Sequence, residues 1–145
     1  MDYFLDTNII IHLIRDSLLA QQIRTTYDLF APSQRLFTSV VVEGELESLA
    51  LQNHWGSAKM IELQHYLLTI HLVDIKVKSI IKRYAEIDTF SQGQLRTRSL
   101  GTSARNMGKN DLWIAATASI LSIPLMTTDN DFAHLDNVFL NLIKI

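Results

Sequence analysis

Short apolar runs alternate along the whole chain with longer segments whose apolar residues recur every three or four positions. That alternation is what most narrows the possible folds. Tyr3 to Leu5, Leu36 to Ser39, Ile70 to Val73, Leu125 to Thr127 and Val138 to Leu142 read as strands. Between them, helical patterning runs from Asn8 onward, from Leu18 to Phe30, Val40 to Leu51, Ser57 to Leu68, Lys76 to Thr89, and from Asn110 to Ile123. Pro32 closes the second helix and Pro124 the last. Strands alternating with helices predict an α/β domain of three layers, with a central, mostly parallel sheet flanked by helices. The 145 residues suit one domain spanning 1–145, and no repeat, low-complexity tract or linker divides them.

The absence of cysteine excludes a disulfide framework, a thiolate nucleophile and the common cysteine zinc sites. His12, His54, His65, His71 and His134 have no paired spacing on a common face, which argues against a histidine metal site. The start, MDYFLDTN, has an acid at position 2 and no basic leader. Leu112 to Met126, the longest largely apolar stretch, is interrupted by Thr117, Ser119, Ser122 and Pro124. It falls short of the roughly 18 apolar residues of a membrane span. These features lead us to expect a soluble, cytoplasmic protein with no membrane partner.

The net charge of −2 argues against a general nucleic-acid coat, but charge is unevenly placed. No carboxylate occurs from Thr89 to Asn110, where Arg96, Arg98, Arg105 and Lys109 all fall. Phe90 to Lys109, rich in Ser, Gly, Gln, Thr and Arg, reads as a functional loop or partial helix. A basic stretch near acids suits a phosphate-bearing substrate; a solvated loop is the plainer account.

Open α/β sheets bind ligands outside the carboxyl ends of their strands. Asp6 directly follows the first strand, Asp129 follows Thr127 by two residues, and Asp111 lies in the first turn of a helix. Each acid has an ordinary explanation: a turn out of a strand, a helix cap, or a dipole-favoured first turn. Their joint placement at one edge favours a site. In the third helix Val42, Leu46 and Leu49 form the core stripe, and Glu47 points to solvent. Glu43 and Glu45 flank that stripe at comparable angles, so helical geometry leaves both open. Trp113, Ile114 and Ala118 read as helix packing, and Trp55 as a loop-packing aromatic.

Four segments in series, LDTN at 5–8, SVVVEGEL at 39–46, NDLWIAATA at 110–118 and TTDNDF at 127–132, resemble PIN domains. The chain is most similar to the VapC-like toxins of toxin–antitoxin pairs, with the weakest likeness between about 53 and 105. The resemblance implies catalytic acids at Asp6, Glu45, Asp111 and Asp129. It favours Glu45 over Glu43 because the family's Glu immediately precedes Leu, here Leu46. It implies a metal centre held by Asp6, Asp111 and Asp129, with Glu45 as ligand or water-orienting base and Asp131 as assistant or substitute. Thr7 and Asn8 are expected to orient the first carboxylate, and Thr127 or Thr128 to hydrogen-bond within the site.

Carboxylates gathered together need a cation among them, and an all-oxygen donor set suits Mg²⁺ or Mn²⁺ rather than zinc. The implied function is an endoribonuclease with one or two ions, hydrolysing RNA phosphodiester bonds. Arg96, Arg98, Arg105 and Lys109 are expected to contact RNA or the cognate antitoxin. A homodimer through the apolar helices before position 70 is expected as well. The rival readings are an RNA-processing PIN nuclease without an antitoxin and a catalytically idle PIN domain that only binds. A receiver-type domain or a haloacid-dehalogenase-like phosphatase fits poorly, since Asp6 has no adjacent acid and Asn8 stands where a second Asp is needed.

Overall fold

The computed structural model describes all residues, 1–145. Tyr3, Phe4 and Leu5 are buried because their strand, β1 (Asp2–Leu5), lies at the centre of a sheet covered on both faces. β2 (Arg35–Ser39) pairs with it on one side and β4 (Leu125–Thr127) on the other. β3 (His71–Val73) and β5 (Leu142–Lys144) form the edges, giving the order β3-β2-β1-β4-β5 with every pair parallel. The sheet, expected to be mostly parallel, is wholly so.

The chain moves outward from β1 through β2 to β3, then returns to the far side of β1 as β4. The order reverses between β1 and β4, and a crevice opens there beyond the strand ends. Right-handed crossovers put α1 (Thr7–Arg15), α2 (Leu18–Tyr27), α3 (Val40–Gln52) and α4 (Ser57–Thr69) over one face. They put α5 (Lys78–Ser91) and α6 (Lys109–Leu121) over the other. The packing agrees: α1 touches α2, α3 and α4, while α5 lies along α6. Helix α6 is nearly enclosed, burying Leu112, Ile114 and a run from Ala115 to Ser119, where small side chains let it approach its neighbours closely. No helix is long and apolar enough to cross a membrane.

Several expected boundaries shift. The second helix stops at Tyr27, not Phe30, because Asp28 turns left-handed at φ 47°. α5 begins at Lys78 and continues to Ser91, so of the segment expected as loop or partial helix only residues 92–108 lack regular structure. The last strand is Leu142–Lys144, not 138–142. Asn137 at φ 57° accepts a tight turn, its N–H bonded to the Leu140 carbonyl, and Asp136 Oδ1 takes the Leu142 N–H before pairing starts.

Candidate functional site

β1 delivers Asp6 to the crevice as it ends, and the same residue caps α1. Only 4% of Asp6 is exposed. Its Oδ1 accepts the Thr7 N–H at 2.7 Å and its Oδ2 accepts the Thr127 hydroxyl at 2.7 Å. Register explains the second contact: Leu5 pairs with Met126 across the sheet, so the residues that follow, Asp6 and Thr127, emerge side by side. Thr127 Oγ1 also accepts the Asp129 N–H at 2.9 Å, and Asp129 Oδ1 accepts the Asp131 N–H at 2.8 Å as it caps the short 3-10 helix Asn130–Leu135. On the other flank Thr7 Oγ1 donates to Glu45 Oε1 at 2.7 Å. A continuous hydrogen-bonded chain therefore runs from Glu45 through Thr7, Asp6 and Thr127 to Asp129.

Glu45, not Glu43, reaches this chain; Glu43 makes no side-chain hydrogen bond, whereas the Glu45 charge helps to raise Asp6. Asn8 is exposed and makes no hydrogen bond to Asp6, since it sits one helical step (about 100°) round from Thr7. Orientation of the first carboxylate falls to Thr7 and Thr127.

Asp111 faces the chain from the first turn of α6. Carboxylate oxygens of Asp111, Asp129 and Asp131 lie within 4.8 Å of one another. Burial, then the charges of Asp6, Asp129, Glu45 and Asp131, push the Asp111 carboxyl up to about 7. Burial also lifts Asp6 to about 6, against the lowering effect of its bonds from Thr127 and Thr7. Gly108 makes room for the outer group: a Cβ there would stand 3.2 Å from Asp111 Oδ2. The donor set fits a hard divalent cation. It is all carboxylate oxygen, half rigidly hydrogen-bonded and half open, with mutual repulsion that a cation relieves.

The basic residues divide. Lys109 opens α6 two positions before Asp111 and is exposed, as are Arg96 and Arg105. The Arg105 N–H holds the end of α5 through the Ser91 carbonyl at 2.7 Å. Arg98 is engaged elsewhere, donating to the Val138 carbonyl at 2.7 Å and lying 5.2 Å over the Phe139 ring. Ser119, which donates to the Phe139 carbonyl, is eight residues along α6 from Asp111, about 12 Å of helix. Two contacts carried no signal in the sequence. Lys144 Nζ bonds the Thr128 carbonyl at the rim of the site, and Ser91 Oγ pairs with His134 Nε2 at 2.7 Å. Burial and the Arg105 charge hold His134 below its ordinary value.

The molecule is thus defined as a parallel α/β domain with a carboxylate-lined crevice at the point where its strand order reverses. The chain belongs to the PIN-domain family, whose model matches residues 3–138. Ribonuclease VapC1 of Haemophilus influenzae strain R2866 is 29% identical over 129 residues, covering 88% of this chain and 86% of that protein. Ribonuclease VapC5 of Mycobacterium tuberculosis is 51% identical over a 37-residue stretch, 26% of this chain and 27% of that protein. Among solved structures, VapBC2 from Rickettsia felis bound to a promoter DNA fragment superposes with a TM-score of 0.76 at 22% identity, covering 99% of this chain and 98% of that one.

Proposed function

We propose that this chain is a metal-dependent endoribonuclease, the toxin of a toxin–antitoxin pair, hydrolysing RNA phosphodiester bonds in the acidic crevice. The observation that carries this reading is the hydrogen-bonded series Glu45–Thr7–Asp6–Thr127–Asp129 with Asp111 opposite it. A bound cation would relieve the repulsion and desolvation that raise the Asp6 and Asp111 carboxyls. The relatives named as ribonucleases VapC support the chemistry, and the neighbours solved as VapBC complexes support an antitoxin partner.

Asp111 and Asp129, whose carboxylate oxygens gather with that of Asp131, would hold Mg²⁺ or Mn²⁺. Asp6 stands outside that trio and would complete the set from the strand end, where its two oxygens also take the Thr7 N–H and the Thr127 hydroxyl. When bound, the ion lowers the pKa of an attached water and stabilises charge on the phosphate. Thr7 fixes Oε1 of Glu45 and leaves its second oxygen free to take the proton of the attacking water. Water oxygen bonds to phosphorus as the bond to the ribose oxygen breaks, that oxygen leaving with the bonding pair and taking a proton from solvent. Lys109, Arg105 and Arg96 contact the RNA backbone or the antitoxin from the loop; Arg98 acts mainly by holding that loop to Phe139.

A homodimer forms through α3 and α4, where Leu51, Ile61 and Leu68 are 76%, 67% and 88% exposed. Leu68→Glu should then halve the mass measured by light scattering. The nuclease reading is tested by incubating a cellular RNA pool with wild type and Asp6→Asn in Mg²⁺, Mn²⁺ or EDTA. We expect metal-dependent cleavage that the substitution abolishes. Intact RNA with folded, partner-free wild type in every metal sinks the proposal.

A further inference from the structure

A groove of about 540 Å³ runs from the acids between α3 and α6. Glu45 belongs to both: one carboxylate oxygen takes the Thr7 hydroxyl, and the residue lines the near end of the groove. Asn110, the neighbour of Asp111, lines the groove opposite it. The α3 wall is a second helical stripe, distinct from the core stripe of Val42, Leu46 and Ala50. Val41, Gly44 and Ser48 recur on it at three- and four-residue spacing, and Leu49, expected in the core stripe, lines it as well because Ala50 takes the core position. The α6 wall is Trp113, packed on its other flank against Tyr84 at 4.2 Å between ring centroids and only partly buried.

Apart from Glu45 the groove has no charged residue. It offers no counter-charge to a phosphate, and it suits an uncharged, flat group with hydrogen-bonding edges. Such edges are available to meet it. The Asn110 amide has no partner in the protein, and Gln52 spends only one donor, on Ser48 Oγ at 2.9 Å. Trp113 stands three residues after Asn110 and shares its face of α6, and Glu45 at the near end of the groove is what joins that face to the acids. A nucleotide whose phosphate sits at the acids can therefore extend its base, or its neighbour's, into this space. We infer that the α3–α6 groove is the subsite for an unpaired nucleobase flanking the scissile phosphate, with Trp113 as its aromatic wall and Asn110, Ser48 and Gln52 meeting the base edge. The inference deepens the ribonuclease reading and rests on it: the substrate is single-stranded at the cut, because only a splayed base reaches aromatic and amide side chains in this way. Gly44 keeps the groove open. It lines the wall, and a Cβ placed on it meets nothing within 4 Å.

The test uses the full chain with Trp55→Phe, which leaves Trp113 as the sole tryptophan of the two. Single-stranded hexaribonucleotides of each base, and a hexamer with abasic sites around the cut, are mixed in with Mg²⁺ or Mn²⁺. Trp113 fluorescence and cleavage are both read. Base-bearing hexamers should quench Trp113, and the abasic hexamer should bind at least about tenfold more weakly. Gly44→Leu, which fills the groove, should remove both the quenching and the advantage of base over abasic. Circular dichroism checks that it folds, and if it does not, the abasic comparison decides alone. Equal binding of abasic and base-bearing RNA overturns the subsite, as does quenching that survives in Gly44→Leu. So does a Trp113 signal that responds to a cognate partner protein and not to RNA, which would make the groove a protein dock. Base-dependent quenching without cleavage in any metal sinks the nuclease and with it the subsite as defined, leaving only a base-binding groove; cleavage indifferent to the flanking base keeps the nuclease and overturns the subsite.

Discussion

Asp6 and Asp111 both hold their protons well above the ordinary carboxylate range, but the two ends of the crevice arrive there by different routes. Asp6 is lifted to about 6 chiefly by burial, and two hydrogen bonds pull it back. Asp111 is lifted further, to about 7, by burial together with four neighbouring acids, and no hydrogen bond opposes the shift. The strand end is therefore a place of fixed geometry and the helix start a place of uncompensated charge. A cation site needs both. In the proposed cation site the anchored half would set the ion's position, and the open half would supply the electrostatic gain on binding.

The sharpest way to break the contrast is to neutralise the anchored half. Asp6→Asn keeps the shape and an acceptor for the Thr7 N–H but removes a desolvated charge. RNA cleavage should fall by about a thousandfold or more, the scale seen when one preorganised electrostatic group is lost. The metal-free protein should at the same time melt higher at pH 8, on the order of 5 °C, because the ionised buried carboxylate is gone. A melting point that drops together with activity would show that Asp6 serves the fold rather than the site.

Thr127→Val cuts the bridge between the two halves. It strips a donor from buried Asp6 Oδ2 and an acceptor from the half-buried Asp129 N–H. We expect a loss of about 1–3 kcal/mol in chemical denaturation and roughly ten- to hundredfold in cleavage rate. Asp6 loses a bond that lowers its pKa, so the acid limb of the pH–rate profile should move to higher pH. An unmoved limb would mean that Thr127 acts only on Asp129.

The unequal shifts also give a pH dependence to the protein without metal. A carboxyl raised in the folded state stabilises the fold fully below its unfolded value of 3.8 and ceases to as pH climbs through its folded value. Asp6 therefore withdraws about 3 kcal/mol as pH rises from about 4 to beyond about 6, and Asp111 acts in the same direction up to about 7. The chelated protein should melt several degrees lower at pH 8 than at pH 5. Mg²⁺ or Mn²⁺ should restore more at pH 8, where fewer protons must leave, than at pH 5. A metal-induced rise that is larger at pH 5 would contradict an all-carboxylate site.

How much of this was legible in the sequence follows the same division. Local patterns carry the strand that ends at Asp6, the helix that starts before Asp111 and the turn that holds Asp129, because each acid sits at an element boundary written in adjacent residues. What joins them is not local. The choice between Glu43 and Glu45 is made by a hydroxyl 38 positions away, and Thr127 meets Asp6 across 121. Asn8 looked as suitable as Thr7 because sequence adjacency does not say which residue of a first turn faces inward. Arg98 read like its basic neighbours, since nothing in its own segment announces Phe139. The final strand was misplaced because residues 138–145 are apolar nearly throughout, so only the left-handed Asn137 marks where pairing waits.

The smallest expected effect tests whether the open half also depends on shape. Gly108 precedes α6 at an ordinary φ of −58°, so alanine there brings no backbone strain. Its added methyl would nevertheless stand 3.2 Å from Asp111 Oδ2, closer than most such contacts, and the carboxylate must give by a few tenths of an ångström. Alanine is a poorer cap than glycine, so stability should fall by about 0.5–1 kcal/mol. Cation affinity, read by calorimetry, should weaken several-fold, on the order of 1 kcal/mol, if Asp111 must stand where it does. Unchanged affinity would mean that the helix-start carboxylate contributes charge without fixed position. The crevice would then be rigid on its strand side and merely negative on its helix side.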